Sequence, residues 1–149
     1  MRALLDTNIL ARAARGGTSP AAELLKRLTQ LPHVLISSPQ LLSELARVLR
    51  YDRVRQMHGL DDEGISAYTQ QIEAAALVVT VSTIASFTVP HDPDDTPVIA
   101  AAVKGQAEVI CTLDRHLYNP AVQAHCSQHG IRIMTDVDLL KAWNSAGPA

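Results

Sequence analysis

The chain is poor in several things, and each shortage removes a class of function. Two cysteines, Cys111 and Cys126, do not make a disulfide framework in 149 residues. Aromatic residues are only 3% of the chain, too few for a platform that stacks single-stranded bases. The formal net charge of −2 gives no global pull on nucleic acid, so any such binding must rest on local cations or bound metal ions. No run approaches the ~20 apolar residues of a membrane span. The apolar start, Arg2-Ala3-Leu4-Leu5, meets Asp6 too early for a signal peptide. A protein with no membrane role and a cytoplasmic location is the expectation.

Apolar residues make up 47% of the sequence, enough for one packed core in a chain this long. A single domain over residues 1–149 is expected, with 145–149 as a loose tail. Short apolar runs predict strands at Arg2–Leu5, His33–Ser37, Leu77–Ser82, Val109–Thr112 and Ile131–Met134. Helices are expected over Pro20–Gln30, Ser38–Arg50, from Asp61 or Asp62 to Ala76 and over Pro97–Lys104, with Gly105 as a stop, and from about Asp136. Strands alternating with helices predict a three-layer α/β/α domain with a mainly parallel five-stranded sheet.

Ligands of such sheets bind beyond the carboxyl ends of the strands. The first strand runs into Asp6 and the fourth into Asp114, while Asp92, Asp94 and Asp95 crowd one loop. Any single one of these suits a helix cap. Three acids within four positions exceed what a cap needs. In the helix from Ser38, Leu41, Leu42, Leu45, Val48 and Leu49 fill one arc, and Glu44 falls at its rim, placed for a neighbouring cleft. Converging carboxylates repel one another unless a cation joins them. An all-oxygen donor set suits Mg²⁺ or Mn²⁺, ions that activate water for phosphodiester cleavage. A nuclease follows from that chemistry.

Four segments in order resemble the PIN-domain (PilT N-terminus) family. They are Leu4-Leu5-Asp6-Thr7-Asn8-Ile9-Leu10, Ser38-Pro39-Gln40-Leu41-Leu42-Ser43-Glu44-Leu45, Asp92-Pro93-Asp94-Asp95 and Thr112-Leu113-Asp114. Their spacing is similar to the branch named for toxins of toxin–antitoxin pairs. The resemblance implies Mg²⁺- or Mn²⁺-dependent cleavage of RNA. It carries the catalytic, metal-holding acids onto Asp6, Glu44, Asp95 and Asp114, with Asn8, Asp92 and Thr112 in support. It also implies a protein antitoxin as partner and a homodimer or higher homo-oligomer. One departure stands out: His116 occupies a place where many relatives carry a further aspartate, which weakens a second metal position.

Arg12, Arg47 and Arg50 are candidates for RNA-backbone contact, with Arg15, Arg53 and Arg55 nearby in sequence. His125, Cys126 and His129 lack the glutamate of a His-Glu-x-x-His zinc site, and Cys111 reads as a small core residue. Rival readings are an RNA-processing nuclease outside a toxin–antitoxin pair, a non-catalytic PIN-like scaffold, and a phospho-accepting receiver-like domain. The last lacks a lysine at the right strand end.

Overall fold

The computed structural model describes residues 1–81 and 96–146. Five strands form one sheet in the order β3-β2-β1-β4-β5, every neighbouring pair parallel. They are β1 (Arg2–Leu5), β2 (Val34–Ser37), β3 (Leu77–Val78), β4 (Val109–Cys111) and β5 (Arg132–Met134). The expected three-layer architecture is therefore the observed one. The central strands show why: Ala3, Leu4, Leu5, Val109, Ile110 and Cys111 are all fully buried. Strands covered on both faces need continuous apolar runs, and these have them.

The helices are α1 (Thr7–Ala13), α2 (Pro20–Leu28), α3 (Pro39–Val48), α4 (Asp52–His58), α5 (Asp62–Ala75), α6 (Thr96–Lys104), α7 (Pro120–Gln128) and α8 (Asp136–Ser145). The right-handed rule for parallel crossovers puts the helices between β1, β2 and β3 on one face and α6 and α7 on the other. The packing agrees. On one side α1 meets α2 and α3, α3 meets α5, and α2 meets α8; on the other α6 lies against β2 and α7 against β5. Ser19, Ser38 and Thr135 cap α2, α3 and α8, each through a side-chain oxygen accepting a backbone N–H. Pro20, Pro39 and Pro120 sit in first turns, where a missing N–H costs nothing.

Several expectations needed correction. Helix α1 was weighed only as one that Asp6 would cap, α7 only as a face shared by His125 and His129, and α4 was not expected. α1 follows Asp6 directly, with no loop to announce it, and α4 buries no residue, so it carries no apolar stripe. Strand β3 ends at Val78, well before Ser82, which lies outside the described residues. Gly105 acts by size: a Cβ there would meet Ile36 Cγ2 at 2.7 Å, while the left-handed residue is Gln106, at φ 57°. Glycine at 105 lets the end of α6 approach β2 closely.

The strand order places a topological switch between β1 and β4. From β1 the chain proceeds to β2 on one side, and β4 lies on the other. The crevice at the carboxyl ends of these two strands is where parallel sheets place ligands.

Candidate active site

Asp6 leaves β1 at this switch and is 4% exposed. It is the N-cap of α1, with Oδ1 accepting the Thr7 N–H at 2.8 Å. Its Oδ2 accepts the Thr112 hydroxyl at 2.7 Å and, more weakly, the Asn8 amide at 3.4 Å. Thr112, fully buried at the exit of β4, uses the same hydroxyl to accept the Asp114 N–H at 3.0 Å. One hydroxyl thus ties the two strand ends together. Asn8 Oδ1 adds a second tie by accepting the Leu113 N–H at 3.1 Å.

The remaining acids approach from two sides. Glu44, half-buried on α3, accepts the Thr7 hydroxyl at 3.1 Å. Asp114 caps the 3-10 turn Arg115–Tyr118 by accepting the His116 N–H at 2.9 Å, and the His116 ring Nδ1 lies 3.6 Å from the same Oδ1. Burial raises the Asp6 pKa above its ordinary value. The Thr112 and Thr7 hydrogen bonds pull it back, and the charges of Glu44 and Asp114 push it up again. Glu44 and Asp114 are thus both within electrostatic reach of Asp6. No cation among the described residues pairs with Asp6.

The other candidates sort by their surroundings. Asp92 and Asp95, with Asp94, lie outside the described residues. Arg12 sits 3.6 Å from Asp136, a buried acid just past β5. Arg50 lies 3.7 Å from Asp62, which also pairs with Arg55. Arg47 shares an open groove of about 550 Å³ with Pro39, Gln40, Ser43 and Glu44. Cys126 is buried, and Cys111 is buried with its thiol pKa raised, chiefly by desolvation.

Sequence reasoning missed three participants. Thr7 holds Glu44 and is the middle residue of Asp-Thr-Asn, so its position was the only signal. Tyr118 donates its hydroxyl to the Thr112 carbonyl at 2.8 Å and steadies the β4 exit. Asp136 was read as a helix start and not as a buried acid.

Among the described residues, no three His, Cys, Asp or Glu side chains form a ready metal cage. Mg²⁺ does not require one: it keeps several waters and binds through one or two carboxylates plus substrate phosphates. The oxygen donors of Asp6, Glu44 and Asp114, with no competing cation at Asp6, fit such an ion. No helix among the described residues is long and apolar enough to cross a membrane. The family model for the PIN domain matches residues 2–116. Comparison with curated proteins and with solved structures found no match. PIN domains are in general nucleases that use divalent metal ions.

Proposed function

The chain belongs to the PIN-domain family, and on that footing we propose that it is a Mg²⁺- or Mn²⁺-dependent ribonuclease that hydrolyses RNA phosphodiester bonds. Asp6 carries the reading. It is a buried carboxylate at the switch point, served by neutral donors, and it feels Glu44 and Asp114. A pocket of this kind is costly until a cation joins it.

We assign the ion to Asp6, Glu44 and Asp114, together with Asp95 from the segment outside the described residues. When bound, the ion supplies an activated water and offsets the charge that builds on the phosphate. The chain's own residues do the positioning. The Thr112 hydroxyl fixes the rotation of the Asp6 carboxylate, and Thr7 fixes that of Glu44. Asn8 holds the backbone after β4, so Asp114 leaves the sheet at a set angle. Asp92 and His116 are assigned supporting places, and Arg47 is the cation of the adjoining groove.

The finer role is that of a toxin in a toxin–antitoxin pair, acting in the cytoplasm as a homodimer or higher oligomer and silenced by a peptide over the acidic cleft. The order and spacing of the four motifs support it. The test of the catalytic reading is an RNA digest in Mg²⁺, in Mn²⁺ and in EDTA, for wild type and Asp6→Asn. Cleavage by the wild type only with metal, and none by the variant, is the expected result. Cleavage in EDTA, or full turnover by the variant, contradicts the assignment.

A further inference from the structure

The groove over α3 has a built-in order. Gln40, Ser43, Glu44 and Arg47 are spaced i, i+3, i+4 and i+7, one helix face extending over about 10 Å of rise. All four line the same open groove. Glu44 sits mid-stripe, tied to the active-site crevice through Thr7. Arg47 lies about one turn beyond it and Gln40 about one turn before.

A glutamate and an arginine three apart on a helix are neighbours and can pair. Here the Glu44 carboxylate accepts the Thr7 hydroxyl, and Arg47 makes no ion pair among the described residues. Arg12 and Arg50, by contrast, are each held by an acid. Arg47 is exposed and, among the described residues, is the cation that lines the groove. A guanidinium left open one turn from a carboxylate pocket suits an incoming phosphate, which it grips through two parallel N–H donors.

We infer that α3 sets the register of the substrate strand. Arg47 holds the phosphate next to the one lying at Glu44, and Gln40 and Ser43 meet the nucleotide on the opposite side. The Gln40 amide both donates and accepts, as a base edge requires, and the Ser43 hydroxyl matches a ribose 2′-OH. This inference rests on the nuclease reading and deepens it by naming the residues that place the cut.

The test is fluorescence anisotropy of a labelled single-stranded oligoribonucleotide of mixed sequence, titrated with the full chain in EDTA at several salt concentrations. Each phosphate contact on a single strand contributes about 0.7 to the slope of log K against log salt. Arg47→Ala should flatten that slope by about 0.7, so its affinity falls about 2.6-fold less than that of wild type between 50 and 200 mM salt. Arg47→Lys should restore the slope, and Arg50→Ala should leave it as in wild type. In Mg²⁺, Gln40→Ala should keep the slope but redistribute the cuts along a mixed-sequence RNA. An unchanged slope in Arg47→Ala overturns the phosphate assignment, and an unchanged cutting pattern in Gln40→Ala overturns the other half. If either happens while wild type still cleaves with Mg²⁺, the inference alone has failed. A wild type that neither binds nor cuts RNA removes the nuclease reading as well.

Discussion

Two aspartates are buried at the same edge of the sheet, one past β1 and one past β5, and they are treated in opposite ways. Asp136 is 1% exposed and has Arg12 at 3.6 Å, so its charge is answered from within the chain. Asp6 is 4% exposed and is answered only by a hydroxyl and amides, with two further acids in range. A fold that needed Asp6 only as a helix cap would gain nothing from gathering negative charge around it. Asp136 shows that the same edge does supply a cation where one serves packing. On the proposed reading, that difference is why the cation is assigned to the end of β1.

Exchanging the two acids sharpens this contrast most. Asp6→Asn should lower RNA cleavage by more than about 100-fold, since even groups that only orient metal ligands are worth about 10–100-fold. Asp136→Asn should leave cleavage within a few-fold of wild type and act on stability. Equal losses in a side-by-side digest would erase the distinction. Thr112→Val comes next. It keeps the shape but removes the hydroxyl that bridges Asp6 and the Asp114 N–H. The expected loss is about 10–100-fold in activity, with the acid limb of the pH–rate profile moved upward, because one of the bonds that lowers the Asp6 pKa is gone. An unmoved profile would make Thr112 a packing residue.

A smaller effect lies in metal-free stability. The folded-state pKa of Asp6 is above its ordinary 3.8, so the native state holds that proton more tightly than the unfolded chain does. Its contribution to stability is fully present below that value and is lost as pH rises through the shifted one. Denaturant titrations in EDTA across this window should show wild type losing stability with rising pH, and Asp6→Asn losing less. The last comparison is Arg12→Ala. Asp136 is nearly fully buried, so losing its cation leaves an unanswered charge, while the 46% exposure of Arg12 lets solvent screen the pair, and a loss of about 1–3 kcal/mol is expected from the same titration.

The legible parts of the molecule were those with one dominant pattern. The runs Ala3-Leu4-Leu5 and Val109-Ile110-Cys111 announced central strands because burial on both faces demands unbroken apolar sequence. The leucine arc of α3 announced both the helix and the rim position of Glu44. What stayed hidden depended on contacts between distant residues. Arg47 and Arg50 belong to one basic stretch, and only the return of the chain to Asp62 separates the open cation from the paired one. The pairing of Asp136 with Arg12 joins opposite ends of the sequence, so no local motif records it. Helix α1 buries Thr7, Ile9, Leu10 and Ala13 and starts at the residue after Asp6, so no intervening loop marks its bounds. Asp92 and Asp95 rest on their motif alone, since they lie outside the described residues.

The most direct test of the vacant charge at the end of β1 is thermal melting of wild type and Asp6→Asn near neutral pH, in EDTA and in millimolar Mn²⁺. In EDTA the variant should melt at or above wild type, because it removes a buried like charge. Mn²⁺ should raise the wild-type melting temperature, by a stabilisation of RT ln(1 + [L]/Kd), and leave the variant nearly unmoved, so that wild type becomes the more stable protein. A variant that melts well below wild type in EDTA, with neither protein responding to metal, would contradict the account and leave Asp6 as the cap of α1.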